Sequence, residues 1–235
     1  NRLLKYTVND SILLSNVLLS DAVMFEMLFP KEASFVVKAY EEFTLQSATS
    51  IAERFGRDIG HISRVSSVAI EIYDKMKKLH GYKSRERTLL QVSAILQDIG
   101  KYVNVKNHAL LSYNTITNLD IVGINDHERL IIATVCYYHN GNIPSMDSPI
   151  YNQLSQEDRV MVSKLAAILQ ISNAINTSHS PKFEQVSVNM KNGKLNIYLT
   201  TLKNINLEKW AFIAKSKLFR EVYGLNATII KRGVL

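Results

Sequence analysis

Apolar residues recur every three or four positions through most of the chain, which is the spacing of amphipathic helices. The longest such stretch, Asp58–Leu79, carries its apolar side chains on one face and predicts a single long helix. Capping residues and glycines mark where further helices begin and end. The other predicted helical stretches are Asp21–Leu28, one that follows Pro30 from Lys31, one from Ser47, Ser84–Asp98, His108–Thr117, Asn125–His139 and Ser155–Thr177. The segment Asp10–Leu19 is predicted to be a strand or a connector.

The pattern changes after residue 180. Two strand-favouring runs are joined by an Asn-Gly pair, which suits a tight hairpin turn, and a helix and a third strand follow. The segments are Phe183–Met190, the Asn192-Gly193 turn, Leu195–Leu202, the helix Leu207–Val222 and the strand Ala227–Lys231. The sequence therefore predicts a mainly α fold, in which a helical bundle is followed by a small ββαβ module.

The composition, with 46% hydrophobic and 21% charged residues, is that of an ordinary globular protein. The most apolar run, Ser11–Leu28, is interrupted by polar residues such as Ser15 and Asp21, so we expect no membrane span. The first residues lack the order of a secretory signal. The single cysteine, Cys136, cannot form an internal disulfide, which fits a reducing compartment. We therefore expect a cytoplasmic protein with no membrane contact.

The net charge of +7 is concentrated near the C-terminus. Residues 1–180 contain 18 basic and 18 acidic residues, whereas residues 181–235 contain 10 basic and 3 acidic residues. A concentrated positive field attracts polyanions, although charges of this kind also serve simply to keep a surface soluble. The candidates for polyanion binding are Lys215, Lys217, Arg220, Lys231 and Arg232.

Four polar residues fall on helix faces that are otherwise apolar: His61, Asp98, His139 and Asn173. Burying each of them separately would be costly, so their positions suggest one shared polar cavity. The alternative is that backbone groups or water satisfy each side chain separately.

The order of His61, Gln97-Asp98 and Asn173 resembles the HD superfamily, in which a His, a His-Asp pair and a final Asp surround a divalent metal ion. Two of these four positions are altered here, because Gln97 replaces the paired His and Asn173 replaces the last Asp. Neutral amide oxygens are weak ligands compared with imidazole and carboxylate. We therefore expect a metal-free remnant of the motif, with His61 and Asp98 paired to each other, and no stoichiometric transition metal in the chain.

A longer series of phrases, from about residue 10 to the end, resembles the C-terminal, HD-like half of the Ppx/GppA phosphatases. In Ala94–Gly100, for example, the sequence AILQDIG stands where the family has a phrase of the form A..LHDIG. The other matching segments are Ser47-Ala48 with Ala52–Phe55, Asn107-His108 with Ser112-Tyr113, Asp126–Arg129 with Tyr138-His139, Leu165–Asn176, and Glu208–Trp210 with Leu218-Phe219 and Val222–Gly224.

This resemblance implies three segments in the chain and implies that catalysis takes place elsewhere. Residues 1–46 would be the end of the catalytic half and a linker, residues 47–180 an HD-like helical domain, and residues 181–235 a small basic α+β module. In the family, Mg²⁺ and Gly-rich phosphate loops lie in two N-terminal actin-like subdomains. The 9 glycines of this chain form no such loop, so we expect no catalytic residues and no cofactor in it.

The implied role is to bind polyphosphate or guanosine pentaphosphate, to contact the actin-like catalytic domain and to form a homodimer. His108 and His139 are further candidates for the polar cavity. Two other interpretations stay open: a stand-alone, metal-dependent HD phosphohydrolase and a basic nucleic-acid-binding module. Gln97 and Asn173 argue against the former. Only charge supports the latter, so we do not expect a nucleic-acid partner.

Overall fold

A computed structural model describes residues 24, 27–28, 30–178, 182–191 and 193–233 of the chain. Contacts divide the chain into two compact units, Asn1–Glu41 and Glu42–Leu235. Of the predicted helix Asp21–Leu28, the described residues Met24, Met27 and Leu28 are helical and exposed, and the segment Asp10–Leu19 lies outside the described residues. The predicted domain limits at 46/47 and 180/181 stay a prediction.

The second unit is a bundle of helices followed by a small sheet, so the predicted mainly α fold with a ββαβ module is confirmed. Among the residues the structure describes, none of the helices is both long enough and apolar enough to cross a lipid bilayer. The helices and strands are α1 (Pro30–Arg54), α2 (Ile59–Lys75), α3 (Lys77–His80), α4 (Ser84–Leu96), a 3-10 turn (Ile99–Tyr102), α5 (His108–Ile116), α6 (Asp126–Tyr138), α7 (Pro149–Asn152), α8 (Gln156–Ile175), β1 (Gln185–Lys191), β2 (Lys194–Thr200), α9 (Asn206–Tyr223) and β3 (Asn226–Arg232).

Helix α8 lies at the centre of the bundle, because α2, α6 and α9 all pack against it. Its residues between Val162 and Ile175 are almost all buried, including those on the side away from the usual amphipathic stripe. A helix surrounded by neighbours in this way has to be apolar on most of its faces.

Two helices begin at the caps that the sequence predicts. At the start of α6, Asn125 Oδ1 accepts a hydrogen bond from the Glu128 N–H (2.9 Å), and the Glu128 carboxylate accepts one from the Asn125 N–H (3.2 Å). At the start of α8, Ser155 Oγ accepts a hydrogen bond from the Asp158 N–H (3.1 Å). Such bonds satisfy N–H groups that the first turn of a helix leaves without a partner.

The predicted single helix over Asp58–Leu79 is wrong in one respect, because the chain breaks it at Met76. The reason lies at His80, whose ring is buried and contacts the backbone through both of its nitrogens. Its Nε2 lies 2.9 Å from the Tyr73 carbonyl oxygen, and its Nδ1 accepts a hydrogen bond from the Tyr82 N–H (3.0 Å). These bonds fold the chain back after α2, which helical periodicity cannot reveal.

The three strands form one sheet in the order β1-β2-β3, with β1 antiparallel and β3 parallel to β2. Lys191 pairs with Lys194, so two residues join β1 to β2; Gly193 has a φ of 67°, and Asn192 lies outside the described residues. Helix α9 forms the crossover to β3 and packs along α8. Tyr223, at the end of α9, donates a hydrogen bond to the Lys164 carbonyl of α8 (3.1 Å) and joins the module to the bundle.

A close backbone approach at Gly100 positions the end of α4 against the start of α5. The Gly100 N–H donates to Ser112 Oγ (2.9 Å), and this hydroxyl donates in turn to the Gln97 carbonyl (2.9 Å). A Cβ atom on Gly100 would lie 2.3 Å from the His108 carbonyl oxygen and 2.5 Å from the Ser112 nitrogen. Only glycine fits between these backbone atoms.

We therefore expect Gly100→Ala to lower the free energy of unfolding by about 3 kcal/mol, because backbone atoms of α5 must move to admit the methyl group. The measurement is urea denaturation followed by circular dichroism. Gly233→Ala is the matched control, since a Cβ atom there would meet nothing within 4 Å. Equal stability of the two variants would contradict the close packing at Gly100.

Candidate functional site

The end of α4 opens onto a cavity of about 390 Å³ that contains three of the four HD-motif positions. Asp98 has a φ of −110° and a ψ of 8°, so it lies outside the helix and at the entrance to the 3-10 turn. The predicted helix Ser84–Asp98 therefore ends two residues early, at Leu96. The cavity is lined by Gly56, Arg57, Asp58, His61, Ile62, Gln97, Asp98, Lys101 and Val105.

The carboxylate of Asp98 is the centre of the polar contacts below this cavity. Its side chain is 8% exposed, and Lys101 Nζ donates to Oδ2 at 2.7 Å. The Nε2 atoms of His139 and His108 lie 3.2 and 3.5 Å from Oδ1. Burial by itself would raise the pKa of Asp98, but the contacts with His139 and Lys101 hold this pKa well below its usual range. Asp98 is thus a buried anion compensated by its neighbours.

The two histidines come from the ends of different helices, His108 from the start of α5 and His139 from the C-terminal cap of α6. Each turns its Nδ1 to a backbone carbonyl oxygen, of Val105 (2.7 Å) and of Cys136 respectively. A carbonyl oxygen only accepts, so each Nδ1 carries a proton, and Nε2 is the nitrogen that each ring turns toward Asp98. These two Nε2 atoms lie 3.3 Å apart. Burial lowers the pKa of His108, which favours its neutral form.

His61 and Gln97 are buried and line the cavity beside Asp98. The hydrogen bonds and ion pairs of the Asp98 carboxylate described here go to Lys101, His108 and His139, and the pairing of His61 with Asp98 stays a prediction. Within the described residues, Gln97 Oε1 is buried without a hydrogen-bond partner.

Asn173, the fourth motif position, does not line this cavity and is only partly buried on α8. The four-position motif is therefore incomplete in two ways, because Gln97 and Asn173 offer amides and Asn173 also lies outside the cavity lining. The donor set that an HD-type metal would need does not fit these four residues.

Several cations lie around Asp98, and a second carboxylate, Asp58, also lines the cavity. Arg57 lines the cavity and donates from Nη1 to the Asp98 backbone carbonyl (3.3 Å). Lys215 reaches the same region from α9: a Cβ atom on Gly141, just beyond α6, would lie 3.9 Å from Lys215 Cγ. Burial lowers the pKa of Lys215, the charge of nearby Asp98 opposes this, and Lys101 adds to it. Three cations, Arg57, Lys101 and Lys215, are therefore opposed by two carboxylates, Asp58 and Asp98.

The sequence does not predict the electrostatic contact of Lys215 with Asp98, because it places Asp98 in the polar cavity and Lys215 on the basic module. The other four basic candidates stay on the outside of the module. Lys217 Nζ lies 3.9 Å from Glu221 Oε1, and Arg220 is exposed. Lys231 donates to the Leu202 carbonyl (3.0 Å), and the Arg232 guanidinium lies 3.6 Å from the centre of the Tyr198 ring. Their charges remain accessible to a polyanion.

The arrangement thus offers two kinds of chemistry. Arginine and lysine around a cavity can bind an oxyanion, and two imidazoles beside a carboxylate can bind a cation. No nucleophile paired with a base lies among the described residues of the cavity lining.

A comparison with protein families matches residues 45–218 to the Ppx/GppA phosphatase domain III. This match covers about three-quarters of the chain and includes the cavity, α8 and most of α9. It agrees with the order of phrases that the sequence shares with that family. The chain therefore belongs to the Ppx/GppA phosphatase family and contains its domain III.

Proposed function

We propose that this chain is the non-catalytic, substrate-binding part of a Ppx/GppA-type phosphatase and that it binds polyphosphate or guanosine pentaphosphate. The observation that carries the proposal is that the whole net charge lies in residues 181–235, the module that the domain III match enters. A phosphate polymer displaces counterions along several such contacts at once. The hydrolysis itself, with Mg²⁺, belongs to an N-terminal actin-like partner domain. Cytoplasmic location is part of the proposal.

The exposed cations of α9 should carry much of this binding. We expect Lys217→Ala with Arg220→Ala to weaken the binding of labelled long-chain polyphosphate by up to about 30-fold, because each exposed contact contributes about 1 kcal/mol or less. Titration at two salt concentrations should also give a smaller salt dependence for this variant. Lys75→Ala with Lys78→Ala is the matched control, since it removes the same charge from exposed positions outside the module.

The same titrations decide between the module and the cavity. If His61→Ala or Asp98→Asn abolishes binding while the α9 variant keeps it, the polymer binds in the cavity and the placement on the module is wrong. Guanosine pentaphosphate and an oligonucleotide of equal charge, used as competitors, separate the two phosphate ligands from nucleic acid. Equal competition by all three would favour the nucleic-acid-binding module instead.

We expect the isolated chain to release no phosphate from polyphosphate or guanosine pentaphosphate in the presence of Mg²⁺. The reason is that its 9 glycines form no phosphate loop and the described cavity contains no activated nucleophile. The measurement is phosphate release above a buffer control. The Asp98→Asn variant, purified in the same way, serves as a control for contaminating phosphatase. Release that persists in wild type and is lost in Asp98→Asn would favour the stand-alone phosphohydrolase.

Homodimerisation, the remaining part of the proposal, is supported by an apolar face of α9. Trp210 is 71% exposed and Ile213 is 75% exposed, at a spacing that puts them on the same side of the helix. Large apolar side chains grouped on a surface mark contact sites. We expect Trp210→Ser with Ile213→Ser to weaken the dimer at least about tenfold in sedimentation equilibrium. Leu79→Ser, at an exposed apolar position on α3, is the control; equal effects would place the dimer contact elsewhere.

A further inference from the structure

We propose that Asp98, His108 and His139 bind one divalent transition metal ion, for which Zn²⁺ is the best fit. Their three donor atoms, Asp98 Oδ1 and the two Nε2 atoms, form a triangle with edges of 3.2, 3.3 and 3.5 Å. A tetrahedral ion with bonds of about 2.05 Å separates its ligand atoms by about 3.3 Å. In an octahedron with bonds of about 2.1 Å, adjacent ligand atoms lie only about 3.0 Å apart. The triangle therefore matches three corners of a tetrahedron.

The orientation of the two imidazole rings supports the same conclusion. His108 Nδ1 and His139 Nδ1 both donate to backbone carbonyls, of Val105 and Cys136. This is the way in which metal-binding histidines are usually held, because the bond at one nitrogen fixes the tautomer that leaves the other nitrogen free. Both free nitrogens point toward the same carboxylate oxygen. The backbone at the start of α5 and the end of α6 therefore prepares the site before any ion arrives.

The surroundings of the third donor atom, Asp98 Oδ1, also suit a metal ion. Asp98 Oδ1 is buried, and its close polar contacts within the described residues are with the Nε2 atoms of His139 and His108. Its other oxygen, Oδ2, is held by Lys101 at 2.7 Å. A carboxylate that binds a metal through one oxygen and a protein donor through the other is the common arrangement in such sites.

Without a positive charge between them, three electron-pair donors at these distances would repel one another. One solution is a proton on one Nε2 atom, shared with the other histidine or with Asp98 Oδ1, and the other is a metal ion. The proton would satisfy only one Nε2 and one neighbour at a time, whereas a metal ion contacts all three donors at once. The nearby cations, Lys101 and Lys215, oppose a dication, and they favour an anion such as phosphate as its fourth ligand.

This proposal departs from the expectation of a metal-free chain. That expectation considered the four HD-motif positions, of which Gln97 and Asn173 are poor ligands. The donor set proposed here shares only Asp98 with that motif. It is also independent of polyphosphate binding by the module, so that either proposal can fail while the other stands.

The test is metal binding by the full 235-residue chain after removal of bound metal with a chelator. We expect one Zn²⁺ per chain by elemental analysis after dialysis, and the visible absorption of tetrahedral Co²⁺ when Co²⁺ replaces it. His108→Gln and His139→Gln should each weaken binding at least about a hundredfold, since even indirect supports of a ligand contribute ten- to a hundredfold. His127→Gln removes an exposed histidine that pairs with Asp158, and should change nothing.

A matched control guards against variants that fail to fold. His80→Gln alters a buried histidine outside the site, so any general loss of structure should appear there as well. Zn²⁺ should raise the melting temperature of the wild type and of the His80 and His127 variants, but not that of folded His108→Gln or His139→Gln. Absence of Zn²⁺ binding, binding unaffected by the His108 and His139 variants, or binding lost only in His61→Ala would each overturn the proposal.

Discussion

A carboxylate buried inside a helical bundle has to be compensated, and much of the local structure follows from how this chain compensates Asp98. An isolated buried charge would cost several kcal/mol, so the group requires partners close by. Those partners come from the 3-10 turn, from the start of α5 and from the end of α6. Each helix end is in turn held by backbone contacts, of which the Gly100–Ser112 bond is the tightest packed. The electrostatics and the packing of this region therefore depend on each other.

The fold could be predicted largely because local rules and tertiary structure agree. Helical periodicity, the Asn125 and Ser155 caps and the two-residue hairpin at Gly193 are all local signals, and each lies where the structure needs it. The break at Met76 shows what local rules omit. It depends on the buried ring of His80 and its bonds to Tyr73 and Tyr82, and the helical pattern continues through it unchanged.

The candidate site was only partly predictable, for a similar reason. His139 and Asp98 stand out because they interrupt apolar faces, and His108 is found through the family phrase that contains it. Their mutual geometry depends on where three helices end relative to one another, and residue spacing does not contain that information. Lys215 is the clearest omission. Its side chain lies against Gly141, close enough to Asp98 for the two charges to interact, so a residue predicted as surface charge is partly buried.

Size and charge together limit what each part of this surface can bind. A cavity of about 390 Å³ is at the lower end of ligand pockets, so it can admit a phosphate group or a small part of a nucleotide. A long phosphate chain has to continue outside it, where the exposed cations of α9 and β3 lie. Arg57 and Lys101 line the cavity, and Lys215 connects its surroundings to α9. The proposed binding of a long phosphate chain therefore depends on the exposed cations of the module, because the cavity is too small to hold such a chain.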